Sequence, residues 1–304
     1  MRGILPCGGR RSPARRRSGY SARLPVSLSR LLPPPVLAFA GSDPSGGAGL
    51  QADLLTLAAL GCHPLSVVTA ITVQDTAGVA EVQAVDASWV ARQARALLAD
   101  VRARAFKVGM VGSPENAAVI AAVVTEHPAL PLVLDPVLAS GRGDPLASAE
   151  VVTALLERLV PHATVLTPNS VEARRLAARE GEAALDLALD VCAARLVARG
   201  ARFVLVTGTH EPTREVVNVL YGARGVVRSD RWPRLPGSYH GSGCTLASAI
   251  AAALAKGHAV PDAVREAQEY TWRTLEQAYR PGAGQSIPDR LFAVRDGRRA
   301  ETGD

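Results

Sequence analysis

From Val36 to Gly208 short apolar runs alternate with helical spacings, and this rhythm leaves few architectures open. VLAFA (36–40), LSVVTAITVQ (65–74), AFKVGM (105–110), LPLVLDP (130–136), ATVLTP (163–168) and RFVLVTG (202–208) read as strands. Helices are expected between them. Over 47–61 Leu50, Leu54, Leu57 and Leu60 recur three or four apart and Gly61 ends the run. The others are 87–101, 114–127 (opened by Pro114), 147–160, 170–179 and 184–199. Near-continuous apolar strands joined by helices predict an α/β fold, a mostly parallel sheet covered on both faces. EVVNVLYG (215–222) and GVVRSDRW (225–232) then read as a hairpin, predicting an antiparallel edge, before two closing helices near 243–256 and 261–279.

Ligands of such sheets sit beyond the carboxyl ends of the strands. The residues there are Gly41-Ser42-Asp43, Gln74-Asp75-Thr76, Gly109-Met110, Asp135-Pro136, Thr167-Pro168-Asn169 and Thr207-Gly208. Glycines and polar groups thus gather at one rim while the strand bodies stay apolar.

The net charge of +6 does not describe this body. Residues 1–34 carry eight arginines and no acid, leaving 26 basic against 28 acidic residues elsewhere. No basic face for nucleic acid is advertised. Residues 1–34 are expected to be a disordered Arg/Ser/Pro-rich extension whose composition also suits a transit segment. Residues 35–295 are expected to form one domain and 296–304 a polar tail. Cys7, Cys62, Cys192 and Cys244 have neither paired nor metal-ligand spacing, which suits a reducing compartment, and no apolar run reaches membrane-spanning length. The expected setting is cytoplasmic, with no membrane partner.

GSYHGSGCTLASAIAAALAKGH (237–258) places glycines at a helix start, where amides lack helical acceptors and the helix dipole favours anions. A cysteine there is expected to have a lowered thiol pKa. The alternative is a plain turn into a small-residue core helix. GSDPSGGAGLQAD (41–53) opens its helix similarly, yet matches neither G-x-x-x-x-G-K-[ST] nor G-x-G-x-x-G in register. Its Asp53 is either a solvated helix carboxylate or a ligand contact. In TPNSVE (167–172), Asn169 and Glu172 form either a capping box or a metal–phosphate pair, with Asp135 as a second carboxylate for Mg²⁺. The six histidines show no paired spacing and no G-x-S-x-G elbow is present, so Ser-His-Asp hydrolysis has little support.

Six segments in order resemble one family over about residues 36–290. They are AGSDPSGGAGLQADL (40–54), TAITVQDTAGV (69–79), KVGMVGS (107–113), LDPVLASGRGDPL (134–146), LTPNSVEA (166–173) and HGSGCTLASAIAAAL (240–254). The chain is similar to the hydroxymethylpyrimidine/phosphomethylpyrimidine kinases of thiamine biosynthesis. That resemblance implies a ribokinase-like three-layer sandwich, ATP and Mg²⁺, a pyrimidine substrate, a homodimer, and two successive phosphoryl transfers.

It implies that Asp53 and Gln74 bond the aminopyrimidine edge while Gly41, Met110 and Val137 line its pocket. Gly241, Ser242, Gly243 and Cys244 would form the anion hole, with Cys244 near the substrate hydroxyl. Asn169, Thr207 and Ser242 would lie on the ATP side, and Asp135 and Glu172 on the metal side. Thr207 stands where the family commonly has lysine, and Arg142 is expected to supply some of the missing charge. Other readings are a pyridoxal or pyridoxine kinase of the same fold and a non-catalytic pyrimidine-binding regulator.

Overall fold

Along the first strand successive side chains enter two different cores, and this decides the layering. The computed structural model describes residues 32–295. The expectations for 1–31 and 296–304 lie outside the described residues. In β1 (Pro35–Ser42), Val36, Ala38 and Ala40 join one apolar cluster and Leu37 and Phe39 the other. A strand apolar on both faces needs cover on both, hence three layers.

β1 pairs in parallel with β2 (His63–Gln74) and β4 (Ala105–Val108). The parallel run continues through β5 (Leu132–Leu134), β6 (Val165–Leu166) and β7 (Val204–Val206). β8 (Glu215–Gly222) and β9 (Gly225–Pro233) add the expected antiparallel hairpin. The other edge was not anticipated: β3 (Val79–Ala84) pairs antiparallel to β2. Four of its six residues are exposed, so its sequence carries no apolar alternation to read. The order is β3-β2-β1-β4-β5-β6-β7-β8-β9, and chain direction across the sheet reverses between β1 and β4.

One face is covered by α2 (Ala87–Asp100), α3 (Pro114–Thr125), α4 (Ala149–Ala154), α5 (Ser170–Ala177) and α6 (Leu189–Ala198). The other carries α1 (Gly49–Ala59), α7 (Ser242–Ala255) and α8 (Val260–Glu276). In α7, Ala247, Ala249, Ala251, Ala252 and Ala255 are buried, and their small size brings its backbone close to the sheet. The helix expected over 147–160 is α only to Ala154. It then widens to a π-turn over Leu155–Leu159 and tightens to a 3₁₀ turn at Val160–His162, where Pro161 has no amide to donate. Residues 184–199 likewise divide into a 3₁₀ turn, Ala184–Asp186, and α6.

Candidate active site

The carboxyl ends of β1, β2, β4, β5, β6 and β7 place the strand-end residues along one edge, around the β1/β4 switch point. Gly241 caps α7 with φ +85°, and a Cβ there would lie 1.9 Å from the Gly47 carbonyl oxygen. Only glycine fits this left-handed position. The first helical bond runs from Thr245 N to Gly241 O at 3.0 Å, so the amides of Ser242, Gly243 and Cys244 precede the helix's own bonding. The side chain of Arg290, buried beneath this loop, joins it to the Gly46-Gly47 turn. Its Nε donates to Thr245 Oγ1 at 3.0 Å and its Nη2 to Gly47 O at 2.5 Å.

Asp135, directly after β5, faces the same loop; a Cβ on Gly243 would stand 3.9 Å from each carboxylate oxygen. Burial, opposed by Lys107, pushes the Asp135 carboxyl up to about 6. Its Oδ2 is buried with no hydrogen-bond partner among the described residues. Cys244 departs from expectation. Burial raises its thiol to about 12; Lys107 pulls the other way, and Asp135 and Asp53 add to the rise. Thiolate desolvation beside two carboxylates outweighs the helix N-terminus and favours the neutral thiol of the half-buried Cys244.

Asp53 is corrected as well. It faces neither solvent nor a cleft: its Oδ1 lies 2.8 Å from Lys107 Nζ and accepts from Ser248 Oγ at 2.8 Å, and both ionic side chains are fully buried. This pair ties α1, β4 and α7 together, beneath the site instead of within it. Lys107 was missed, although a lysine in the apolar run AFKVGM, one of two in the chain, was a legible signal.

At the β6–α5 turn TPNSVE takes its capping-box reading. Asn169 Oδ1 accepts from Val171 N at 3.0 Å and Glu172 N at 2.9 Å, while Glu172 Oε2 accepts from Asn169 N at 3.0 Å. This is a complete capping box. Glu172 Oε1 also accepts from Leu138 N at 3.3 Å. Burial, with Asp135 adding to it, pushes the Glu172 carboxyl up to about 8. Thr207 forms a parallel bridge with Asn169 and accepts from Ser170 N at 3.0 Å through its carbonyl.

On the other side of the switch point, Gly41 and the end of the Met110 side chain are neighbours: a Cβ on Gly41 would come 2.3 Å from Met110 Cε, so a larger residue there would displace that methyl. Val137 is partly exposed one residue beyond Pro136. Gln74, at the end of β2, contacts Thr72 and His240 and lines a small cavity with Thr76, Ser140, Arg142 and Gln285. Arg142 reaches the carbonyl oxygen of Ala77 here, so it latches the loop after β2 instead of standing on the nucleotide side as expected. A larger cavity of about 380 Å³ lies at the far ends of α2 and α3, lined by Leu98, Val101, His127 and Leu130, away from these groups.

The site residues thus gather around an anion-shaped loop, two buried carboxyls and a small polar pocket. The sequence model of the phosphomethylpyrimidine kinase family matches residues 43–289. The chain belongs to that family. Hydroxymethylpyrimidine/phosphomethylpyrimidine kinase of Mycobacterium tuberculosis is 42% identical over 275 residues, covering 89% of this chain and 98% of that protein. The phosphomethylpyrimidine kinase structure from Clostridium difficile matches with a TM-score of 0.67 at 36% identity, over 78% of this chain and 97% of that one. Staphylococcus aureus pyridoxal kinase, solved with AMP-PCP and pyridoxal, matches with a TM-score of 0.75 at 26% identity, over 86% and 96%. This member of the phosphomethylpyrimidine kinase family is therefore a kinase of ribokinase-like fold with a role in thiamine biosynthesis. Among the described residues no helix is long and apolar enough to cross a membrane.

Proposed function

We propose that the enzyme uses ATP to phosphorylate 4-amino-5-hydroxymethyl-2-methylpyrimidine and then extends the monophosphate to the pyrophosphate. The observation that carries this is the placing of Gln74, which matches an aminopyrimidine edge, on the same sheet edge as the open amides of 242–244 and the unpartnered oxygen of Asp135.

Phosphoryl transfer is mostly positioning and charge stabilisation. The amides of Ser242, Gly243 and Cys244 hold the oxygens of the moving group, and Gln74 orients the pyrimidine. In the first transfer the attacking hydroxyl keeps its proton until late in a loose transition state and then passes it to an oxygen of the transferred phosphoryl group as ADP leaves, so the neutral Cys244 thiol serves as a positioning contact. In the second the nucleophile is already a phosphate oxygen and needs no base. Asn169 and Thr207 shape the nucleotide side through their backbone.

The site suits Mg²⁺. No cluster of three ligating side chains exists among the described residues. Magnesium commonly takes one or two carboxylates together with water and substrate phosphates. Asp135 offers its spare oxygen; Glu172, whose oxygens already accept amides, would act through water. Bound there, the ion would neutralise phosphate charge. Ile71 and Val73, exposed on one face of β2, support a homodimer, and the reading extends to a cytoplasmic setting.

The higher TM-score to a pyridoxal kinase favours that substrate as the second reading. ATP consumption by purified enzyme with hydroxymethylpyrimidine, its monophosphate and pyridoxal in parallel decides between them. Turnover of the first two is expected; a preference for pyridoxal, or none of the three, overturns the proposal.

A further inference from the structure

His240, directly before the anion loop, has its ring buried between the two halves of the site. Its Cδ2 fills the space beside Gly47, where a Cβ would come within 2.3 Å. Its Nε2 lies 2.8 Å from Asp43 Oδ2 and 2.8 Å from the terminal amide nitrogen of Gln74. Asp43 also accepts from Ser45 N at 2.8 Å and Ala48 N at 2.7 Å. Burial opposes ionisation, but these donors and His240 together hold its carboxyl down to about 2. A lone pair on Nε2 would face that carboxylate at hydrogen-bond distance, so Nε2 must carry a proton.

A protonated Nε2 cannot receive a hydrogen bond from Gln74; its single hydrogen, directed to Asp43 Oδ2, can be shared only with the amide oxygen. A second contact asks for the same thing. Thr72 Oγ1 has one hydrogen, donated to Ser42 O at 2.9 Å, so its 3.2 Å contact with Gln74 requires an amide N–H there. Turning the amide half a revolution about its terminal bond satisfies both neighbours and leaves the side chain in place.

We infer that Asp43 and His240 are positioning residues that lock the Gln74 amide with its oxygen toward the ring, and so set substrate choice. With His240 and Thr72 served, Gln74 has one N–H and one oxygen lone pair left on the same planar amide. That pair complements an amino group adjacent to a ring nitrogen. A ring without that adjacency leaves one of the two unpaired, which costs affinity. The identity of the ligand rests on the proposed function; the locked amide does not.

The test has two arms. ¹⁵N-resolved NMR of the full-length, ligand-free enzyme, with the His240 signals assigned from their loss in His240→Phe, is expected to place a proton on Nε2. A proton on Nδ1 alone overturns the inference. Kinetically, His240→Phe is expected to lower kcat/KM for hydroxymethylpyrimidine relative to pyridoxal by about tenfold or more. The KM for ATP should stay within about twofold. Equal losses for both substrates, or a matching loss for ATP, indicate a merely structural histidine and also overturn it. If the wild type does not turn over hydroxymethylpyrimidine, the proposed function fails while the NMR arm still reads the lock.

Discussion

Lys107 and Asp53 form an ion pair at 2.8 Å with both side chains wholly removed from solvent, directly below the cysteine of the anion loop. Breaking such a pair strands a charge in the interior. Asp53→Ala is expected to cost about 3–5 kcal/mol, and the double variant Asp53→Ala/Lys107→Met to recover much of that loss. Thermal melts of the single and double variants check this. A single variant that melts like the wild type while losing only pyrimidine affinity would return Asp53 to the substrate pocket.

Raised to about 12, the Cys244 thiol is a poor proton acceptor. Cys244→Ala should therefore slow the first transfer by about tenfold or less, below the roughly 10²–10⁴-fold expected of a general base. The second transfer should change less still. Single-turnover rates for each step with purified enzyme measure both, and a loss of about a thousandfold confined to the first would restore the base role.

The two loop glycines differ physically, and their alanine variants should separate stability from turnover. Gly241 is left-handed with the Gly47 carbonyl in the way, so Gly241→Ala should destabilise the fold. Gly243 is an exposed residue of α7 with the Asp135 oxygens as its nearest neighbours, at 3.9 Å. Alanine there suits the helix by up to about 1 kcal/mol, yet its methyl enters the space assigned to the phosphoryl oxygens. Gly243→Ala should keep or raise Tm while lowering kcat. Unchanged kcat would argue against an anion at this place.

Asp43 sets an acid limit. Its carboxyl is held near 2 in the fold, against about 3.9 in an unfolded chain. A depressed acid contributes its full stability above the unfolded value and loses it as pH falls through the folded one. Roughly 2 kcal/mol should thus disappear between about pH 4 and pH 2. Urea midpoints across that range should fall more steeply for the wild type than for Asp43→Asn. Parallel slopes would deny the carboxylate this role.

Where a residue's role depends on its own chain neighbours, the sequence was legible. Asn169 and Glu172 are three apart and make the capping box that spacing allows, and Gly241 sits at the helix start where a left-handed residue was needed. The inner strands of the parallel run, β1 and β4 to β7, were also readable, because being covered on both faces makes them largely apolar. β3 was not, since an exposed edge strand needs no apolar pattern.

By itself, then, the sequence determined a doubly covered parallel sheet, the rim on which its polar residues gather, and the kinase family to which those motifs belong. The tertiary structure alone decided how the charges are partnered. Asp53 and Lys107 are 54 residues apart, and Asp43 and His240 are 197 apart. Sequence spacing carries no information about such contacts. Burial and partner then settle whether a carboxylate binds substrate or braces the core, and whether a helix-start thiol ionises, because desolvation acts on folded neighbours and not on chain position.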